Sequence, residues 1–141
     1  MAAEIATELR NADPARQVDF QVAPGLHAQG DPALLRNLMD NLIGNAWKFT
    51  GSRSPARIEF GRTDDGEFFV RDNGAGFAPQ YAAKLFRPFQ RLHSEEQYAG
   101  HGIGLASVKR VLERHGGAIE AEGEEGKGAT FRFWIPPPQE E

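Results

Sequence analysis

The chain has no cysteine among its 141 residues, which excludes a disulfide framework and thiolate chemistry. It has no apolar run near the roughly 20 residues that a membrane span needs. Its first residues, "MAAEIATELRNAD", are polar and helical in pattern and carry no leader signature. A cytoplasmic domain is therefore expected, and a soluble part of a membrane-anchored parent fits the same facts. There is no basic block: 16 Lys and Arg stand against 20 Asp and Glu, for a net charge of −4. That argues against nucleic acid as the main partner. Internal repeats are also lacking. What is present, 40% hydrophobic and 26% charged residues, suits one soluble globular domain with a real core. Sixteen glycines are many for this length, and their clustering matters more than their number.

Periodicity places the elements. Ala3 to Arg10 reads as a short helix, and Val18 to Val22 alternates like a strand. In "GDPALLRNLMDNLIGNAWKFT", Asp31 is an N-cap candidate with Pro32 at the first helical position. Leu34, Leu35, Leu38, Leu42 and Ala46 then recur at the helical period. "ARIEFGRT" and "EFFVRD" are strands around a "DDG" turn, "AAKLF" suits a short helix, and Arg87 to Gly100 is polar and irregular. "GIGLASVKRVLERHGG" reads as a helix with a glycine stop; "AIEAEG" and "GATFRFWI" form a closing hairpin. Residues 1–136 are expected to form the domain and 137–141 a disordered tail. Together they predict an α/β fold, a two-layer sandwich of a mixed sheet with helices on one face.

The helix around "DNLIGNAWKF" carries two asparagines, poor helix formers whose amides compete for the backbone. On a wheel of about 100° per residue, Leu35, Leu38, Met39, Leu42 and Ala46 form the apolar arc, and Arg36, Asp40 and Trp47 face away. Asn41, Asn45 and Lys48 fall together on one edge of that arc. An amide oxygen there is a hard neutral ligand that suits Mg²⁺. A lysine one turn on is a point charge for a phosphate. The plain alternative is a boundary stripe of amides satisfied by loop backbone.

Two glycine loops follow. "VRDNGAGF" puts Asp72 at the end of an apolar strand. An ionised carboxylate only accepts hydrogen bonds, so it would take the exocyclic amine of adenine and repel guanine. Gly74 and Gly76 let a flat ring approach closely. The alternative is a simple Asp-Asn-Gly turn. "GHGIGLASV" sets Gly100, Gly102 and Gly104 directly before a helix, a ready phosphate site or a hinge. "GEEGKGAT" is not a Walker A loop, and no dinucleotide fingerprint follows a strand. His27, His93, His101 and His115 show no metal-ligand spacing and read as surface or loop residues. Trp47, Phe86, Phe89 and Trp134 read as core.

In this order the segments resemble the ATP-binding domain of sensor histidine kinases, within the gyrase, Hsp90, kinase and MutL superfamily. "NLIGNAWKFT" looks like the N box, "DNGAGF" the first glycine box, "LFRPFQRL" the F box, "GHGIGLASV" the second glycine box and "GKGATFRF" the closing turn. The match spans Asp31 to Pro136, and "PFQRLH" and "VKRVLERHGG" most resemble phytochrome- or PAS-linked kinases. The resemblance implies a left-handed βαβ sandwich, the Bergerat ATP-binding fold, with ATP and Mg²⁺ as cofactors. By position it makes Asn45 the Mg²⁺ ligand, while Asn41 contacts phosphate or metal-bound water and Lys48 a phosphate. Asp72 holds the adenine amine beside Gly74 and Gly76. Residues from about Arg87 to Gly100 form a lid in which Arg91 steadies the γ-phosphate. Gly100, Gly102, Gly104, Leu105 and Thr130 complete the implied nucleotide contacts. His101 and Phe49 depart from the family's usual threonine and tyrosine.

The implied function is donation of the γ-phosphate to a histidine on a dimeric helical hairpin, in partnership with a response regulator. No such hairpin is present in this sequence, so the isolated chain is expected to bind Mg-ATP as a monomer without autophosphorylation or direct membrane contact. Hydrolysing relatives carry glutamate at the position of Asn41 as the base for water. An amide cannot take that proton, so the nucleophile should bring its own basicity, as a neutral imidazole does. Two alternatives stand beside this reading: an anti-sigma-factor-like serine kinase, against which Asn41 counts, and a non-catalytic nucleotide-binding docking module.

Overall fold

In the computed structural model the described residues are 2–23, 26, 30–51, 55–78, 80, 86 and 104–136. The expected tail 137–141, the lid from 87 to 100 and most of the "AAKLF" helix lie outside them. Among the described residues the order is α1 (Ala2–Ala12), β1 (Val18–Val22), α2 (Pro32–Phe49), β2 (Ala56–Arg62), β3 (Phe68–Asp72), α3 (Gly104–Arg114), β4 (Ala118–Glu124) and β5 (Gly128–Trp134). The strands form one sheet in the order β1-β2-β3-β5-β4, with β1 parallel to β2 and every other pair antiparallel. The mixed sheet and its helical layer are thus as expected.

Local chemistry explains the helix bounds. The Asp31 carboxylate accepts the Ala33 and Leu34 N–H groups at 2.9 and 3.1 Å, two of the donors that the first turn leaves free. Pro32 at the first helical position needs no N–H partner. At the other end Thr50 is fully buried, and its hydroxyl lies 2.8 Å from the Ala46 carbonyl. His115, just past α3, accepts the Asp31 N–H through Nε2 at 3.0 Å. With Nε2 accepting, Nδ1 is the nitrogen that donates to the Val111 carbonyl, at 2.8 Å. That link ties the end of α3 to the start of α2.

The period of two divides the sheet into faces. Ile58, Phe68, Val70, Ala129, Phe131 and Phe133 point to the helices and meet Leu38, Leu42, Ile43, Ala46, Val108 and Leu112 in one core. Phe68 stacks on Phe133 at 5.3 Å between centroids, and Phe86 meets Phe131 edge-on at 6.3 Å. The opposite face is laced with charge. Arg132 reaches Glu120, Glu122 and Glu67, while Arg71 faces Glu59 at 3.6 Å.

Of the aromatic residues read as core, Trp134 is not. It is 43% exposed, because the alternation that buries Phe131 and Phe133 turns residue 134 outward. Trp47, read as core although the wheel turns it from the apolar arc, is half-buried, packed against the core and stacked on Phe20 of β1 at 5.9 Å. That ring contact gives even the outer flank of α2 a neighbour.

Candidate functional site

Asp72 closes β3 in register with Ile58 and Ala129, so its side chain points into the helix-facing layer. It is 6% exposed. Burial pushes its carboxyl up from 3.8 to about 6, because the charged form loses its water; N–H donors from Gly74 and Ala129 pull the other way. The Gly74 N–H lies 2.8 Å from Oδ1. A buried carboxylate on a sheet rim, held by two backbone donors and by no cation among the described residues, is costly for the fold. Such groups mark candidate sites.

The loop after Asp72 is pinned on both sides. The Ala75 N–H donates to the Phe49 carbonyl at 3.0 Å, joining the loop to the last residue of α2. A Cβ on Gly74 would stand 2.3 Å from that same carbonyl oxygen, so only glycine allows the approach. On the far side the Gly126 N–H donates to the Ala75 carbonyl at 2.8 Å. Gly76 has φ +66°, and a Cβ there would stand 2.1 Å from the Glu124 carbonyl oxygen. The glycine box is thus a three-way joint between α2, β3 and the β4–β5 turn.

Asn45 lies one turn before Phe49 on α2, about 6 Å along the axis at 1.5 Å per residue. The joint therefore brings the asparagine edge of α2 to the same rim as Asp72. Asn45 is half-buried, and its amide has no hydrogen-bond partner among the described residues. Asn41 donates from Nδ2 to the carbonyl and the side-chain oxygen of Asn37, at 3.0 and 3.1 Å, and its own amide oxygen takes no hydrogen bond among the described residues. Lys48 is exposed without an ion-pair partner among the described residues. Gly104 opens α3, and Leu105 is core at 8% exposure. Arg91, Gly100 and Gly102 lie outside the described residues.

Thr130 is not brought to Asp72. It pairs with Arg71 and Glu122 and so lies on the charged outer face. The residue beside the carboxylate is Ala129, which the sequence reading passed over. Parity held the signal: Phe131 and Phe133 face inward, so in the same strand Ala129 does too and Thr130 does not. Phe49 was missed as well, because it contributes its backbone carbonyl, which no motif encodes.

The donor set can be tested against a magnesium nucleotide. Among the described residues no cluster of three His, Asp or Glu could hold a metal by itself. Amide oxygens on Asn45 and Asn41 are hard neutral donors, which fit Mg²⁺ that keeps waters and bonds mainly to phosphate oxygens. The carboxylate at Asp72 fits an amine donor on a flat base.

Comparison with known proteins bears on the fold and the family. Residues 30–139 match the family described as "Histidine kinase-, DNA gyrase B-, and HSP90-like ATPase". Cyanobacterial phytochrome A of Nostoc sp. is 46% identical over 105 residues, 72% of this chain. The chain spans only 14% of that relative's length. The mycobacterial sensor histidine kinase MprB superposes with a TM-score of 0.78 at 25% identity, over 98% of this chain and 95% of that one. Full-length ShkA in complex with AMPPNP superposes with a TM-score of 0.71 at 31% identity, over 94% of this chain and 28% of that one.

Proposed function

Since this chain belongs to the histidine kinase-, DNA gyrase B- and HSP90-like ATPase family, we propose that it binds Mg-ATP and supplies the γ-phosphate to a histidine on a separate helical-hairpin domain. The observation that carries this reading is the buried Asp72 carboxylate, joined through Gly74, Ala75 and Phe49 to the helix that bears Asn41 and Asn45. Asp72 accepts the adenine amine, and Gly74 and Gly76 line the base. Asn45 holds Mg²⁺ by its amide oxygen; Asn41 and Lys48 address phosphate. Gly104 offers the first N–H of α3 to phosphate oxygens. Bound Mg²⁺ would neutralise the charge on the transferring phosphoryl group. Arg91, Gly100, Gly102 and Leu105 belong to this proposal through the family motif alone, and Thr130 drops out of it. A response regulator then receives the phosphoryl group from the histidine.

The chain's own chemistry accounts for the choice of acceptor. No side chain beside Asn45 on α2 can take a proton from water, because Asn41 is an amide. Water is therefore a poor nucleophile here, while a neutral imidazole needs no base. Phosphoryl transfer mostly requires positioning and charge neutralisation, and this edge of α2 offers both.

The test is direct. Mg-ATP should bind saturably to the isolated chain, and Asn45→Ala should weaken binding at least tenfold with Mg²⁺ present but much less with EDTA. No γ-phosphate should enter the chain alone, and phosphorylation should appear when a histidine-bearing hairpin from a related kinase is added. Absence of saturable binding would favour a docking module instead.

The pH dependence follows from Asp72. Its carboxyl titrates near 6 in the apo fold, and only the ionised form accepts the amine. Affinity for Mg-ATP should therefore fall about tenfold between pH 7.5 and pH 5, as protonation competes with binding. The same titration of Asp72→Asn, which removes this group but leaves the triphosphate unchanged, should lack that component.

A further inference from the structure

The geometry points to Arg16 as a positioning residue for base recognition, acting through Thr50 and the last turn of α2 on the Asp72 carboxylate. This inference rests on the adenine reading of Asp72 given above. Arg16 lies in the strap between α1 and β1, outside every motif of the site. Its Nη2 donates to the Thr50 hydroxyl at 2.8 Å, and its guanidinium carbon sits 4.2 Å from the centroid of the Trp47 ring. Trp47 in turn stacks on Phe20, at 5.9 Å and 14° between planes, and Arg10 covers the far ring at 5.0 Å. Cation, indole, phenyl and cation thus form a continuous ladder from the strap to β1.

The ladder grips the turn that holds the glycine box. The Thr50 hydroxyl, besides accepting from Arg16, donates within that turn to the Ala46 or Trp47 carbonyl, at 2.8 and 3.2 Å. Thr50 directly follows Phe49, whose carbonyl accepts the Ala75 N–H at 3.0 Å. Gly74, one residue earlier, donates to Asp72 Oδ1 at 2.8 Å. Three hydrogen bonds, joined by the peptide links Phe49–Thr50 and Gly74–Ala75, therefore run from a guanidinium on the surface strap to the carboxylate that reads the base. Burial lowers the guanidinium's affinity for its proton, although Asp13 nearby opposes this. A cation held over an indole and bonded to a fully buried hydroxyl fixes the frame, not just the surface. Release of Arg16 frees the last turn of α2 to shift by tenths of an ångström, enough to misplace Gly74 against Asp72.

The experiment compares affinities for Mg-ATP and Mg-ITP, whose base carries an oxo group where adenine carries the amine. The wild type should prefer ATP; equal affinities there would overturn the adenine reading itself and this inference with it. Arg16→Ala and Thr50→Val should each lower ATP affinity about tenfold, leave ITP within twofold, and be no worse combined, as members of one chain of contacts. Arg16→Lys keeps a cation for Trp47 but not the planar fork, so it should fold like the wild type and still lose part of the ATP preference. Parallel loss of ATP and ITP, additive effects in the double variant, or an unchanged ATP-to-ITP ratio in folded Arg16 variants would each overturn the positioning role.

Discussion

Asp72→Asn should sharply weaken ATP binding and at the same time make the empty domain more stable. The two effects share one cause. The buried carboxyl titrates near 6 in place of 3.8, so the fold favours its neutral form. A raised carboxyl pKa means that stability is greatest below the unfolded value and declines as pH climbs through 6. That decline amounts to about 3 kcal/mol at full ionisation, from 1.4 kcal/mol per pKa unit. An asparagine keeps the oxygen that accepts the Gly74 N–H and removes the charge. The gain should be about 1–3 kcal/mol at pH 7.5, or about 3–10 °C in Tm. It should vanish near pH 4, where the wild-type carboxyl is also neutral. Binding moves the other way. The asparagine's Nδ2 would face the adenine amine, donor against donor, and the charge-assisted bond is gone. A combined loss of about 3 kcal/mol, near 150-fold in Kd, is expected. Calorimetric Tm across pH, with nucleotide titration on the same samples, measures both. A variant that is less stable at pH 7.5 and still binds ATP would contradict the assignment on each count.

Gly76→Ala should disrupt the domain more than its single added methyl suggests. Gly76 sits at φ +66°, which costs a side chain about 1–2 kcal/mol, and the methyl would collide with the Glu124 carbonyl at 2.1 Å and the Gly128 carbonyl at 2.7 Å. Both are backbone atoms of the β4–β5 turn, so the strand ends must part. The Gly126 N–H bond to Ala75 would be lost with them. A loss of about 3–5 kcal/mol is expected, with ATP binding lost even below Tm. Gly126→Ala is the control. Gly126 also has positive φ, +78°, but an added Cβ meets nothing within 4 Å. It should lose only about 1–2 kcal/mol and leave binding within a few-fold. Denaturant unfolding of both variants separates collision from backbone preference; equal losses would contradict the joint.

Much of this joint was legible in the sequence, and what was missed has a common reason. Strict alternation set β1 at Val18–Val22, and Asp31-Pro32 set the start of α2, because both signals are local. The helical period likewise put Asn41 and Asn45 on a shared edge. Thr130 was misplaced because a motif was carried over whole, whereas the pleat assigns faces one residue at a time. Ala129 then stands at Asp72 by strand register alone. Trp47 defeated the helical wheel because a wheel knows one helix, and its partner Phe20 lies 27 residues earlier in the chain. Nor can composition reveal the carbonyl of Phe49 or the reach of Arg16 to Thr50, since these depend on where two segments end in space.

A crystal structure of the domain with Mg²⁺ and a non-hydrolysable ATP analogue tests the central claim most directly. The base's exocyclic amine should lie about 3 Å from an Asp72 carboxylate oxygen, with the phosphates along the α2 edge that carries Asn41, Asn45 and Lys48. A nucleotide bound elsewhere, with the Asp72 carboxylate still sealed among its backbone donors, would contradict it.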